Sequence, residues 1–222
     1  MNNEKNNIAT FVEKVINNTF ETLVRIYNGG KGINGEFKGS RLIFPHYKKD
    51  RAEGIRVSEQ ELRFVFVEEF SKLCNDGSND YYYSVETPTE GDYNFSKEKD
   101  KPCATDRGEG QSGNFDMAIH DKNGKKVCLI EFKAHNVSQE KIEKDMVKLA
   151  NTKEGDDNIL RYFIHMVSAS DNGTIKSIDG KLRCIGDNLD KDDRYSKAIS
   201  YYCYSLQEQK KIKTEEFNKQ NE

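Results

Sequence analysis

Asp116, Glu131 and Lys133 lie in the stretch "NFDMAIHDKNGKKVCLIEFKA". Two strand-like runs flank Asn123-Gly124 there, a strong short-range hairpin signal. If those two residues form the whole turn, Lys122 faces Lys125. Counting back along both strands, Asp116 then faces Glu131, with β-carbons roughly 5 Å apart. Side chains alternate between faces. One face then collects Phe115, Met117, Ile119, Cys128, Ile130 and Phe132 and suits a core. The other places Asp116, Glu131 and Lys133 together at the end away from the turn. A four-residue turn or a bulge would shift this register.

Two carboxylates side by side repel unless a cation lies between them. Hard oxygens at that spacing suit Mg²⁺ or Mn²⁺. A lysine two residues from Glu131 points the same way. It can hold a water or offset charge building on a phosphate. Together such groups could hydrolyse a phosphodiester. The bland reading is an exposed sheet face with a cross-strand ion pair, which contributes little. That reading expects scattered charges, whereas these bunch beside apolar Val127 and Leu129.

Asp116 followed by Glu131-Phe132-Lys133 resembles the PD-(D/E)XK nuclease superfamily, over a little more than half of the chain. The resemblance implies an α/β, restriction-endonuclease-like fold: a central mixed four-stranded sheet flanked by helices, with an αβββαβ core. It implies that Asp116, Glu131 and the Phe132 backbone carbonyl ligate metal, and that Lys133 is the catalytic lysine. Such families often add a glutamate from the helix before the first core strand. Glu61 is the choice here, with Glu68 and Glu69 as fallbacks. Glu61 has a competing role, closing a capping box with Ser58. Phe115 stands where the motif's name has proline. The implied activity is Mg²⁺- or Mn²⁺-dependent cleavage of DNA in a restriction or defence setting, leaving 5′-phosphate and 3′-hydroxyl ends. Enzymes of this type frequently pair to cut two strands, which makes a homodimer compatible with the reading.

The surrounding elements must carry this site. A helix is expected over 4–27, from the spacing of Ile8, Phe11, Val12, Val15, Ile16, Leu23 and Val24. Another starts at "VSEQELRF". "YYYSVETPT" reads as a strand stopped by Pro88. Residues 90–112 read as a long connection, "SQEKIEKDMVKLAN" as a helix and 159–169 as a buried strand. Glycine- and aspartate-rich turns follow, then a strand in "YSKAISYYCYSL" and a charged helical tail. The expectation is one domain over 1–222. Its core spans about 56–170, with the N-terminal helix at 4–27 and a C-terminal extension at 171–222.

Other polar residues have plainer readings. His135 lies just past the site and is taken as exposed. His165, within an apolar strand, is taken as a satisfied core histidine. Lys141, Lys144 and Lys148 could meet a DNA backbone. Interleaved Glu140, Glu143 and Asp145 make a solvated helix the commoner explanation. The tyrosines at 81–83 could stack on bases, though a strand needs such residues anyway. The glycine-rich 28–39 stretch lacks a phosphate-loop pattern.

The 222 residues carry 35 Lys+Arg against 38 Asp+Glu, a net charge of −3. That balance gives no global pull towards nucleic acid or anionic membrane. The five cysteines include no CxxC pair, which points to reduced thiols rather than disulfides or zinc. The N-terminal stretch is polar, and no apolar run reaches membrane-spanning length. A cytoplasmic location is expected. Two alternatives stand beside a DNA nuclease: a catalytically inactive nuclease-fold module that binds protein or nucleic acid, and a nuclease directed at RNA.

Overall fold

The computed structural model describes residues 2–29, 40–49, 52–75, 77, 79–95, 101–168 and 171–218. Apolar residues at helical spacing place α1 (Asn2–Tyr27) and α2 (Glu59–Asn75) side by side. Ile8, Phe11, Val15, Val65, Phe66 and Phe70 are all buried between them and the sheet. Phe66 meets Phe132 of the sheet edge-on, with ring centroids 5.3 Å apart. A small ribbon, β1 (His46–Lys49) and β2 (Ala52–Ile55), lies between the two helices in sequence.

The main sheet has seven strands, not four. They are β3 (Tyr82–Asn94), β4 (Cys103–Thr105), β5 (Gln111–His120), β6 (Lys126–Ala134), β7 (Leu160–Val167), β8 (Ile199–Ser205) and β9 (Lys210–Phe217). Their order is β4-β3-β5-β6-β7-β8-β9. Only β6–β7 and β7–β8 are parallel. Parallel neighbours need crossovers, and these are α3 (Gln139–Ala150) and α4 (Asn172–Leu189). Both helices pack on the face opposite α1 and α2, over Ala118, Leu129, Phe163 and Tyr201. The middle strands β6, β7 and β8 are therefore buried on both sides. Among the described residues no helix is long and apolar enough to cross a membrane, and all five cysteines are free.

Four expectations change. β3 runs through Pro88, which lies opposite Asn114. β4 covers β3 only at Asp92–Asn94, so the proline lies in an edge segment, where a missing N–H is tolerated. The connection at 90–112 instead contains the end of β3, the whole of β4 and the start of β5. The "glycine-rich turns" are α4, whose Ile178, Leu182, Ile185 and Leu189 form a buried stripe. Gly173, Gly180 and Gly186 masked that periodicity. The charged tail is β9, because the open edge of β8 supplies it with an antiparallel partner.

The hairpin turn also differs from the two-residue form. The Asp121 N–H donates to the Lys125 carbonyl, and Gly124 adopts a φ of 78°. Three residues, 122–124, thus form the loop. The Asp121 carboxylate accepts from the N–H groups of Asn123 and Lys125, each at 2.9 Å. A register shift between Ile119 and His120 absorbs the extra residue. Beyond it, Ile119 faces Cys128, Ala118 faces Leu129 and Met117 faces Ile130. These are the pairs that a two-residue turn without a bulge would give.

Glu154 ties the irregular part of β3 to the loop after α3. It is 1% exposed. It accepts from the N–H groups of Glu90 and Gly91 at 2.9 and 2.8 Å and from the Tyr93 hydroxyl at 2.6 Å. A Cβ on Gly91 would lie 2.8 Å from the Asn151 amide, so a larger residue there would make that side chain shift. Glu154→Gln, which turns part of this acceptor into a donor facing donors, should destabilise the fold by about 2–3 kcal/mol. Guanidinium unfolding would measure the change, and a loss under about 0.5 kcal/mol would contradict this reading.

Candidate functional site

The β5–β6 ladder stops at Met117 and Ile130, and β5 distorts at the next position. Glu86, bracketed by the same register as Asp116, has a φ of 48°. That region is costly for a residue with a Cβ. Phe115 accordingly buries on the α3 side of the sheet, with Ala118 and Leu129, rather than beside Met117 as strict alternation would require. The Asp116 carboxylate fills the gap in the ladder, accepting from the Phe132 N–H at 2.8 Å. Its other oxygen pairs with Arg63 of α2, which also reaches Glu86 at 2.8 Å.

Glu131 turns to the opposite helix. It is 1% exposed and pairs with Lys148 of α3 at 2.5 Å. Burial raises its pKa well above the ordinary carboxylate value, Asp145 adds to this, and Lys148 opposes it. Lys148 also pairs with Asp145 at 3.0 Å and donates to the Asn114 carbonyl at 2.7 Å. Lys133 spans the two helices, meeting Asp145 at 2.6 Å and Glu59 at 3.4 Å. Burial works against its ammonium, but Asp145, Glu59 and Glu131 outweigh that and hold its pKa above the usual lysine value. Burial likewise raises the pKa of Glu59, against the pull of Lys133.

The structure thus brings Asp116, Glu131 and Lys133 to one end of the hairpin, each acid with its own protein cation. Glu61 does not join them. Its carboxylate takes the Ser58 hydroxyl at the start of α2, the capping role that competed for it. Glu59 is the α2 acid that faces the cluster. Glu59 and Arg63 are four residues apart and share a helix face, whereas Glu61 points elsewhere. Of the two fallbacks, Glu69 accepts from Thr22 and pairs with Lys72, and among the described residues no hydrogen bond or ion pair ties Glu68 to the cluster.

Asp145 and Lys148 are the residues that sequence reasoning missed. They belong to the buried stripe of α3, along with Ile142, Met146 and Leu149. Spacing relative to those apolar residues could have found them. Lys144 pairs outward with Glu140 at 3.2 Å. His135, at a φ of 67°, is exposed as expected, yet it is tied down on both its ring and its backbone. Its ring meets the Val57 carbonyl at 2.5 Å, and its own carbonyl lies 2.5 Å from His165 Nε2.

The oxygens of Asp116, Glu131 and the Phe132 carbonyl are the hard donors a magnesium-type ion takes. Among the described residues, however, no three carboxylate, histidine or cysteine side chains form a ready metal cluster. No family model, curated protein or solved structure matches the chain.

Two measurements follow from these contacts. Lys148→Met leaves Glu131 buried without its cation and should cost about 3–5 kcal/mol. Glu131→Gln added to it should recover most of that loss in guanidinium unfolding. Additive losses in the double-mutant cycle would count against the pairing.

The second measurement concerns His165. It donates through Nε2 to the His135 carbonyl, so Nδ1 accepts from the Tyr201 hydroxyl at 2.7 Å. Burial, helped by Lys133 and Lys181, lowers its pKa to about 4. The unfolded imidazole titrates near 6.5, so between those values only the unfolded chain takes the proton. This contribution is intact above pH 6.5 and is lost as pH falls towards 4, by about 3 kcal/mol. His165→Gln should flatten that slope in unfolding curves taken at successive pH values, and an unchanged slope would refute the assignment.

Proposed function

We propose that this protein is a Mg²⁺- or Mn²⁺-dependent phosphodiester hydrolase of restriction-endonuclease-like type, acting on DNA. The observation that carries the reading is a charge deficit. Glu86, Arg63 and Asp116 form one ion-paired group with two acids and one cation. Glu59, Lys133, Asp145, Lys148 and Glu131 form a second, with three acids and two cations. Each carries one uncompensated negative charge, so a single dication would balance both. Burial is the first cause of the raised pKa values of Glu59 and Glu131, and the neighbouring acids Asp116 and Asp145 push both further in the same direction. Within the sheet, α2, β3, β5, β6, α3 and β7 follow the αβββαβ order, with the short β4 inserted, and this supports the fold reading.

Asp116, Glu131 and the Phe132 carbonyl would hold the ion, with Glu59 rather than Glu61 as the helix acid beside them. When bound, the ion would acidify an attacking water and stabilise charge on the phosphate. Lys133 then acts as a cation. Its carboxylate neighbours keep it protonated, so it orients water and offsets phosphate charge rather than removing a proton. Asp145 holds that ammonium in place from α3.

The second reading, an inactive module that binds protein or nucleic acid, draws on a specific contact pattern: Arg63 and Lys148 already neutralise one acid each. Calorimetry and plasmid cleavage separate the two. The wild type should bind Mn²⁺, and Asp116→Asn should abolish that binding while the chain stays folded. Lys133→Met should reduce cleavage by about a hundredfold or more. A wild type that takes up no Mn²⁺ and cuts neither DNA nor RNA would leave the binding module.

A further inference from the structure

At the turn end of the β5–β6 hairpin, α1, the end of α2 and the 121–125 turn enclose a cleft of about 830 Å³. It is a different place from the acidic cluster. Asp121 follows Asp116 by five residues of strand, roughly 17 Å. A cleft of this volume suits a drug- or nucleotide-sized molecule.

Its walls differ in chemistry. Ile8, Phe11, Leu73 and Val127 form an apolar side, continued by half-buried Tyr81, whose ring lies 4.9 Å from that of Phe11. The rim carries Lys5, Lys14, Lys122 and Lys125 against Asp80 and Asp121. The Asp121 carboxylate is committed to the amides of its own turn, which lower its pKa. Lys125 pairs with Asp156 at 3.3 Å, and Lys5 donates to the Asp157 carbonyl at 2.8 Å. Lys14 and Lys122 make no ion pair among the described residues. The rim therefore holds an excess of positive charge on a chain whose net charge is −3. Asn7 and Asn158 also line the cleft. An asparagine side chain carries an NH₂ donor group beside a carbonyl acceptor, the pairing that a nucleobase edge presents.

We propose that this cleft binds a nucleotide. The base lies along the apolar wall beside Tyr81 and is read by the Asn7 and Asn158 amides. The phosphates lie between Lys14 and Lys122. An inorganic anion would use only the lysines, and an uncharged ring only the wall. A molecule with a planar heterocycle and a phosphate uses both. This inference does not rest on the metal-site reading.

Calorimetry on the full chain with ATP, AMP and inorganic triphosphate, in EDTA to exclude metal at the acidic cluster, tests it. ATP should bind saturably and raise the melting temperature, and triphosphate should bind at least tenfold more weakly. Lys14→Glu with Lys122→Glu should weaken ATP binding by about tenfold or more. Both side chains are exposed, so the double variant should keep the wild-type circular dichroism and melting temperature without ligand. Three results would each overturn the proposal. One is no saturable ATP binding up to about 5 mM, where the free energy falls to a few kcal/mol. Another is triphosphate binding as tightly as ATP. The third is ATP binding that the charge reversals leave unchanged.

Discussion

A carboxylate that is 1% exposed must share its charge or give it up, and Glu131 sits in that condition at the centre of the molecule. Leaving a buried charge unpaired costs several kcal/mol, so the elements around Glu131 are arranged to answer it. Lys148 comes from α3, on the same face as Asp145, and Asp145 in turn holds Lys133. Lys133 reaches on to Glu59 at the start of α2. One chain of alternating charges therefore links two helices that lie on opposite faces of the sheet.

That arrangement is possible because β5 and β6 stop pairing where the charges begin. Within the ladder, backbone groups bond to each other and side chains are sorted strictly by face. Past Met117 and Ile130 the Phe132 N–H goes to the Asp116 carboxylate instead. Arg63 can then reach Asp116 from α2 while Lys148 reaches Glu131 from α3. The break in the sheet is thus both a strained part of the fold, with Glu86 at positive φ, and the place where its chemistry collects. The opposite end of the same hairpin is regular apart from its bulge, and its polar groups are left for the turn and the cleft.

Much of this was legible in the sequence because it depends on local period. The α1 and α2 stripes, the hairpin and the buried strand at 160–167 follow from spacing alone. The hairpin register came out as expected for a different reason than the one assumed. A three-residue loop and a bulge displace the register in opposite senses, so their errors cancel. What failed was of another kind. α4 was hidden because three glycines interrupt an otherwise periodic stripe. β9 was read as helix because its pairing needs β8, not any property of its own residues.

Sequence by itself determined which residues could be charged and which faces could be buried, because side-chain chemistry and helical or strand period belong to each segment separately. Only tertiary structure decided which charges meet. It chose Glu59 over Glu61, because Ser58 captures Glu61 and the pitch of α2 turns Glu59 and Arg63 to the same side. It moved Asp145 and Lys148 from an expected solvated face to the interior, because α3 lies across β5 and β6. Such choices depend on how separate elements pack, and no single segment encodes the angle at which its neighbour arrives.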